Sequence, residues 1–245
     1  MALTFTERLT RKLRRRFYKP YNKLRHGERF FVTRYFGADF LVRGIDVGGL
    51  EISAGIGELS ELTRFVARCG ELRPDLFLDI GANIGLYSCI LLRKRLVERA
   101  ILFEPDRRNQ VRLRANLLIN GVLDRVEIRE VAAGAAPGRF RLVPGPETDI
   151  GLSRIAEDAT QEGYEVDVVR LDDALALSGR TLAIKMDIER YERPALRGME
   201  QLLRANRGMM QIEAFESRDE VVAMMQAVGW PLAWELEPNL VFEKK

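Results

Sequence analysis

Short apolar runs alternate with longer amphipathic stretches from residue 75 to the end of the sequence. Such runs are typical of buried strands. In the stretches between them, the apolar residues have the spacing of a helix with one buried face. The runs are LFLDI, AILFE, VEIREVAA, TLAIKMD and GMMQIEAF, with an irregular connection between the third and the fourth. This alternation predicts an α/β fold with a mostly parallel sheet and right-handed crossovers. The final WPLAWELEPNLVFEK predicts a hairpin around Pro238 and Asn239 that adds one antiparallel strand.

Length and composition are those of an ordinary globular protein. The 245 residues are 47% hydrophobic and 31% charged, which suits one domain with an appendage or two small domains. Cys69 and Cys89 form no CxxC pair, and so few cysteines favour a reducing compartment, which we expect to be the cytoplasm. No run of 18 apolar residues predicts a transmembrane helix, and the N-terminus lacks the apolar core of a secretory signal.

Residues 1–29 form a strongly basic arm. Residues 1–30 contain ten Arg or Lys and two Glu, a net charge of 10 − 2 = +8, so the remaining chain carries 3 − 8 = −5. An amphipathic helix is predicted from Thr6 to about Tyr18, with Pro20 ending it. We favour a solvated arm whose apolar stripe packs on the body. The alternatives are peripheral contact with an anionic membrane, at its inner surface, and the less favoured contact with a nucleic acid.

Residues 30–74 are expected to form a small β/α extension before the main domain of residues 75–245. Residues 30–57 are rich in aromatic and β-branched residues around a hairpin signal at Gly37-Ala38-Asp39, and we expect strands over this range. Residues 58–70 place apolar residues on one helical face and end at Gly70, which predicts a helix.

The stretch FLDIGANIGLYS, residues 77–88, places a glycine-bearing turn between a strand that ends at Asp79-Ile80 and a helix that starts near Ile84. Glycine lets the backbone approach a ligand closely, and a helix N-terminus presents unpaired N–H groups. Glu104 ends the next strand, where an acid accepts hydrogen bonds from ribose hydroxyls. The pattern predicts an adenosine-type cofactor beyond the carboxyl ends of the strands.

The turn has GxxxG rather than GxGxxG spacing, which disfavours a nicotinamide dinucleotide. Asp79, just before the turn, would repel a diphosphate and suits a ligand that carries a sulfonium and an ammonium group. This combination selects S-adenosylmethionine, and with it methyl transfer rather than hydride transfer. The alternative is that Asp79 only caps the turn and that the glycines serve packing.

Five motifs, in order, resemble the FkbM-type S-adenosylmethionine-dependent methyltransferases from about residue 75 to the end of the chain. The motifs are FLDIGANIGLYS, FEPD, VVRLDD, IKMDIERYE and QIE. The resemblance implies a seven-stranded Rossmann-like methyltransferase sheet and O-methylation of a hydroxyl on a sugar, glycolipid or other secondary metabolite. It also implies a set of cofactor contacts, Asp79, Gly81, Asn83, Gly85 and Glu104. We add Ala82, Asp106 and Ala132 as further cofactor-binding candidates.

The chain departs from the family pattern at Arg190, where the family often has glycine after its D-x-E pair. The departure predicts a less permissive loop with a cation in the acceptor mouth, which suits an acidic substrate or weakens the site. Arg190 is therefore a candidate substrate contact, together with Glu213 after the fifth strand. Asp149 and Ser153, in the loop 147–155, complete this set because loops on a rigid scaffold often bind substrates, although a solvated connection is equally consistent with the pattern.

Methyl transfer to a hydroxyl requires alignment of donor and acceptor and removal of a proton. His26, the only histidine, lies in the basic arm and is expected to be exposed. Strand alternation predicts Asp187 and Glu189 on one side of the fourth strand's end, with Lys185 paired to a carboxylate or aimed into the cleft. We expect Asp187 to act as base or substrate anchor. The alternatives are a Mg²⁺ or Ca²⁺ site that includes Glu213, and a structural role.

Three functions stay open. The favoured one is an O-methyltransferase for a small-molecule or glycan acceptor. The second is a nucleic-acid methyltransferase that uses the basic arm, but the fourth strand is followed by DIER and not by the Asn/Asp-Pro-Pro-aromatic tetrad of base-methylating enzymes. The third is a non-catalytic scaffold of methyltransferase type, which Arg190 favours. The sequence leaves the oligomeric state undetermined.

Overall fold

The computed structural model describes residues 13, 16–17, 20–156 and 160–245. The helix predicted from Thr6 to Tyr18 therefore lies mostly outside the described residues. Residues 20–26 are helical, so the prediction that Pro20 ends a helix is wrong. Within the described residues, no helix combines the length and the apolar content needed to cross a bilayer.

The extension begins with an antiparallel hairpin of β1 (Phe30–Tyr35) and β2 (Ala38–Arg43). The strands expected to continue to residue 57 are not formed, because α1 (Val47–Ser53) follows the hairpin. This helix packs tightly on β2, since a Cβ at Gly49 would lie 2.8 Å from the Cβ of Val42. Packing on the hairpin thus outweighs the local β propensity. The predicted second element is present as α2 (Leu59–Leu72).

The main domain contains eleven further strands among the described residues. They are β3 (Leu76–Ile80), β4 (Ala100–Phe103), β5 (Val126–Arg129), β6 (Ala132–Ala133), β7 (Gly138–Val143), β8 (Arg154–Ile155), β9 (Tyr164–Val169), β10 (Thr181–Met186), β11 (Arg207–Glu213), β12 (Leu232–Leu236) and β13 (Asn239–Lys244). Seven of them form one sheet in the order β12-β13-β11-β10-β3-β4-β5. Only β13 runs antiparallel to its neighbours. This confirms the predicted α/β class and the C-terminal antiparallel strand.

Helices cover both faces of the central sheet. They are α3 (Leu86–Arg93), α4 (Arg107–Ile119), α5 (Leu171–Ala174), α6 (Glu192–Arg197), α7 (Glu200–Ala205) and α8 (Arg218–Ala227). Phe77 on β3 packs with residues of α2, α3 and α4, whereas its neighbour Leu78 packs with residues of α6, α7 and α8. Alternate residues of a strand point to opposite faces, so the result is a three-layer α/β/α arrangement.

A second, four-stranded sheet has the order β6-β9-β7-β8. It occupies the region expected to be an irregular connection, and it separates β6 from β5, which the sequence joined in one strand. The sequence of β9 shows why a strand forms here: the buried Val166 and Val168 alternate with the exposed Glu165 and Asp167. This small sheet lies next to the carboxyl end of β4, because Tyr164 donates its hydroxyl to Asp106 at 3.1 Å.

The extension and the main domain share one hydrophobic core. Phe40 of β2 and Phe65 of α2 pack in the same buried cluster as Phe77 and Leu113. Buried amides connect the backbones as well: the Asn116 side chain accepts the N–H of Leu41 at 2.7 Å. The extension is therefore held firmly against α4, beside the carboxyl ends of the central strands.

Candidate functional site

The turn between β3 and α3 contains two glycines in the left-handed region, Gly81 at φ +83° and Gly85 at φ +82°. A Cβ at Gly81 would lie 1.9 Å from the carbonyl oxygen of Asp187, and one at Gly85 would lie 2.6 Å from a methyl of Leu113. At both positions, a side chain would collide with protein atoms and the backbone is in a conformation that favours glycine. Gly81 thus lets the turn after β3 lie directly against the segment after β10, and Gly85 lets it lie against α4.

Glu104 connects the tip of β4 to this turn. Its Oε2 accepts the backbone N–H of Asn83 at 2.7 Å, and its Oε1 accepts that of Asp106 at 2.8 Å. A carboxylate offers about four lone-pair sites, so it keeps capacity for hydroxyl donors. Burial raises the pKa of Glu104 to about 7, although these N–H groups partly offset the effect.

A cleft of about 610 Å³, open to solvent, lies over the tips of β3, β4 and β10. We call it the first cleft. It is lined by the candidates Gly81, Asn83, Glu104, Ala132, Ser153, Asp187 and Glu189. The remaining wall combines apolar side chains such as Phe103 and Leu142 with the polar side chains of Asn109 and Arg154. A hollow that combines apolar walls with convergent polar groups is the usual form of a small-molecule site.

Two amide oxygens in the first cleft are buried and lack a hydrogen-bond partner among the described residues. They belong to Asn83 and Asn109. Asn109 is only 3% exposed, and its amide nitrogen donates weakly to Glu104 at 3.4 Å. Because buried acceptors are nearly always paired, these oxygens indicate a ligand that donates hydrogen bonds. The sequence reasoning missed Asn109, although it lies in the first turn of α4, which follows directly after the tip of β4.

A second cavity of about 710 Å³ adjoins the first cleft. The two share four lining residues, Gly81, Asn83, Gly151 and Asp187. Six carboxylate residues line the second cavity, Asp46, Glu51, Glu58, Asp79, Asp149 and Asp187, together with a single lysine, Lys185. Much of this wall comes from the extension, including α1. Two of these carboxylates are paired with cations, Asp46 with Arg112 at 2.9 Å and Asp187 with Lys185 at 3.0 Å. The cavity is therefore lined by more acids than bases and depends on residues outside the main domain.

Asp79 lies at the floor of the second cavity and is 2% exposed. The hydroxyl of Ser88 donates a hydrogen bond to it. Burial raises the pKa of Asp79 to about 6, although Ser88 and Lys185 oppose that shift. The sheet register places Lys185 directly beside Asp79 on one side and Gln211 on the other. A row of three polar side chains thus crosses the buried face of the sheet below the cavity.

Lys185 and Asp187 form a buried ion pair with a 3.0 Å separation. Burial lowers the pKa of Lys185, but nearby carboxylates, chiefly that of Asp187, outweigh burial and raise it. Burial opposes ionisation of Asp187, yet Lys185 and a hydrogen bond with Glu213 keep its pKa below the ordinary value. Burial and the charge of Asp187 raise the pKa of Glu213. At neutral pH, Glu213 therefore carries the proton of this pair and Asp187 the charge.

The segment after β10 does not continue as an extended strand, so the predicted alternation of Asp187 and Glu189 is wrong. β10 ends at Met186, and Glu189 and Arg190 are both left-handed, at φ +48° and +72°. Both carboxylates nevertheless line the first cleft. Burial, followed by the charge of Asp187, raises the pKa of Glu189 to about 7.

Arg190 and Asp106 are not found where the sequence placed them. Arg190 pairs with Glu216 at 3.0 Å on the surface, outside the lining of both hollows in the described part of the chain. Asp106 also lies outside these linings, because it caps α4 by accepting the N–H of Arg108. Ser153 reaches the first cleft but donates its hydroxyl to Asp106 at 2.5 Å, so it braces the cap.

The other candidates divide between the two hollows. Ala82, Asp149 and Lys185 line the second cavity, whereas Gly85 and Glu213 belong to neither lining. Tyr191, which the sequence reasoning did not single out, lines the first cleft and packs edge-on against Phe140. His26, expected to be exposed, is half-buried and stacks on Phe31. The described residues contain no group of three His, Cys, Asp or Glu arranged to hold a metal ion.

Comparison with known proteins gives concordant matches. The family model for the methyltransferase FkbM domain matches residues 79–230. The 31-O-demethyl-FK506 methyltransferase FkbM of Streptomyces tacrolimicus is 26% identical over 76% of this chain and 86% of its own length. The crystal structure of methyltransferase FkbM from Methylobacillus flagellatus KT has a TM-score of 0.51 and 21% identity. That alignment covers 70% of this chain but only 44% of the M. flagellatus chain, and its likeness concerns the fold.

Proposed function

The chain belongs to the FkbM methyltransferase family, and from this premise we propose that it transfers a methyl group from S-adenosylmethionine to a hydroxyl of a sugar, glycolipid or secondary metabolite. The observation that carries the proposal is the meeting of two hollows at Gly81, Asn83, Gly151 and Asp187. One hollow suits the cofactor and the other an acceptor. Transfer between them takes place across their shared wall.

The first cleft suits the adenosine of the cofactor. Glu104 accepts the ribose hydroxyls there, and the unpaired oxygens of Asn83 and Asn109 accept other donors of the same ligand. The apolar wall around Phe103 packs against the base. When bound, the cofactor supplies an electrophilic methyl group on a positively charged sulfur. Among the described carboxylate residues, Asp187 is the one that lines both hollows, and it would face that positive charge.

Asp187 accepts the hydrogen bond of the acceptor hydroxyl and takes its proton. Asp187 is suited to this role because it lines both hollows and stays ionised at neutral pH. Lys185 holds its carboxylate in place at 3.0 Å. Bound S-adenosylmethionine would give its methyl group to the acceptor oxygen and leave as S-adenosylhomocysteine, and the Asp187 carboxylate would take the hydroxyl proton. Alignment of the two reactants supplies most of the acceleration.

The second cavity suits the acceptor, and the extension shapes it. Its carboxylates disfavour phosphate-rich polymers, which argues against a nucleic-acid substrate. The name of the S. tacrolimicus relative specifies methylation at an oxygen of a small molecule, which supports a hydroxyl acceptor here. Arg190, the residue that favoured a non-catalytic scaffold, pairs with Glu216 on the surface instead of entering the acceptor side.

A methyl-transfer assay tests this proposal. Purified protein is incubated with S-adenosylmethionine labelled in the methyl group and with panels of hydroxylated sugars, glycolipids, polyketides and RNA. We expect label in a hydroxylated small molecule or glycolipid, and no transfer by Asp187→Asn. Label transferred to RNA alone would overturn the acceptor class. Failure to bind S-adenosylmethionine at millimolar concentration would overturn the enzyme assignment.

A further inference from the structure

The helical segment 20–26 is attached to the body through a polar and aromatic face. Asn22 is 8% exposed, and its Nδ2 donates to the Oγ of Ser53 at 2.6 Å. One turn later, His26 stacks on Phe31 with ring centroids 3.8 Å apart. Residues four apart lie on the same face of a helix, so these contacts fix the orientation of the segment.

The opposite face of this segment is apolar and exposed. Leu24 is 90% exposed and Tyr21 53%, and the preceding helical residues Leu13 and Phe17 are 47% and 62% exposed. Within the segment 20–26, helical spacing places Tyr21 and Leu24 on the side opposite Asn22 and His26. The prediction of an apolar stripe packed on the body is therefore wrong for Leu13 and Phe17, the members of that stripe that the structure describes. A helix at the surface of a globular protein normally buries this stripe, so the observed orientation indicates an external partner.

Cations surround the apolar face. Arg16, Lys23, Arg25 and Arg29 are all exposed, and Glu28 is the sole acid in the sequence between residues 13 and 30. The rest of the chain carries a net charge of 3 − 8 = −5 because residues 1–30 carry +8. An exposed apolar stripe flanked by cations is the pattern of a helix that lies in the interface of an anionic bilayer.

We propose that the apolar residues Leu13, Phe17, Tyr21 and Leu24, with the cations around them, dock the protein on an anionic lipid membrane. The apolar side chains enter the acyl boundary and the cations meet the headgroups. A nucleic acid would use the cations and leave the exposed leucines without a partner. Two copies of the chain that met through this same face would bring like charges together. An anionic membrane uses both the cations and the apolar side chains.

Vesicle co-sedimentation tests this docking surface with the full-length chain. We expect the wild-type protein to bind vesicles of phosphatidylglycerol and phosphatidylcholine at least about tenfold more tightly than pure phosphatidylcholine vesicles. Replacing Phe17 and Leu24 with glutamate should weaken binding to the anionic vesicles by at least about tenfold, because two apolar side chains no longer insert. Both positions are exposed, so the fold should persist, which circular dichroism checks.

The double variant Val111→Glu/Leu118→Glu is the matched control, since it adds the same two negative charges at side chains that are 70% and 65% exposed on α4, outside the segment 13–29. It should leave vesicle binding within about twofold of wild type, because a general effect of added negative charge would be shared by both variants. Equal binding by wild type and the Phe17/Leu24 double variant would overturn the proposal. So would a wild-type dimer that dissociates on Leu24→Glu and binds no vesicles, or salt-sensitive RNA binding without vesicle binding.

Discussion

The carboxylate of Glu104 accepts the backbone N–H of Asn83 at 2.7 Å, and this bond joins the tip of β4 to the glycine turn after β3. Asn83 is itself left-handed, at φ +50°, and its side-chain oxygen is buried with no hydrogen-bond partner in the described part of the chain. The strand tip and the turn therefore hold each other in place before any ligand arrives. Such preorganisation reduces the cost of ordering the site on binding.

Glu104→Gln is expected to weaken S-adenosylhomocysteine binding by at least about tenfold, which is 1.4 kcal/mol. The amide replaces one acceptor oxygen with a donor, so it cannot serve both backbone N–H groups and a ribose. Isothermal titration calorimetry measures the change. Glu98→Gln, with a side chain 82% exposed, is the control and should bind like wild type. Equal affinities for all three proteins would contradict the role of Glu104.

Cofactor affinity is expected to fall as the pH drops below about 7. Hydroxyl donors favour the ionised form of Glu104, whose pKa in the free protein is raised to about 7 by burial. Below that pKa the carboxyl must lose a proton to bind, which weakens binding by up to about tenfold per pH unit. Calorimetric titrations with S-adenosylhomocysteine between pH 5.5 and 8.5 test this expectation. In Glu104→Gln, the change of affinity with pH near pH 7 should be absent. A wild-type affinity that is constant over this range would show that Glu104 does not titrate on binding.

Gly81→Ala is expected to destabilise the fold by about 3 kcal/mol or more. The new Cβ would meet the Asp187 carbonyl at 1.9 Å in a left-handed backbone at φ +83°, which adds overpacking to conformational strain. Gly121→Ala is the matched control, because Gly121 is also left-handed but has open space around its Cβ position. Gly121→Ala should lower the free energy of unfolding by only about 1 kcal/mol. Urea denaturation measures the free energy of unfolding of both variants. Equal losses would mean that backbone strain alone accounts for the effect of Gly81→Ala.

Arg190→Gly is expected to stabilise the protein by up to about 1 kcal/mol and to leave cofactor binding unchanged. The backbone at Arg190 is left-handed at φ +72°, which costs a side-chain-bearing residue about 1–2 kcal/mol, partly offset by the entropy that glycine loses. The surface pair with Glu216 contributes little. Thermal unfolding and calorimetry provide the test. A tenfold loss of cofactor affinity would instead place Arg190 in the site.

Asp187→Asn is expected to lower kcat by about 10²–10⁴-fold while cofactor affinity changes only a few-fold, because it removes a proton acceptor and not an adenosine contact. Glu216→Gln, at an exposed carboxylate nearby with a side chain 71% exposed, is the control and should keep full activity. Steady-state kinetics on the acceptor found in the transfer assay separate kcat from KM. A change in KM alone would assign Asp187 to acceptor binding without proton transfer.

The sequence predicts the parts of this molecule that depend on local periodicity. The alternating runs locate the central strands, and the glycine turn with Glu104 locates the first cleft, because both signals lie in contiguous residues. The small sheet was not predicted as a sheet: residues 132–133 were joined to the preceding strand, and β7 and β8 fell in the expected irregular connection. The neighbours of β9 in space are distant from it in sequence, so its clear alternation did not reveal its partners.

The second cavity was not predictable in this way. Its wall combines α1 and Glu58 of the extension with the tips of β3 and β10, and only tertiary packing brings these segments together. The position of the Arg190 side chain could not be predicted either, because its pairing with Glu216 on the surface depends on the left-handed turn after β10. Its positive charge suggested the acceptor mouth, but the backbone conformation decides where the side chain points.

A crystal structure with S-adenosylhomocysteine shows directly whether the first cleft holds the cofactor. We expect the ribose hydroxyls within hydrogen-bond distance of Glu104, and the sulfur at the junction of the two hollows, facing Asp187. Ligand bound elsewhere on the protein, or a ribose turned away from Glu104 at full occupancy, would contradict this expectation.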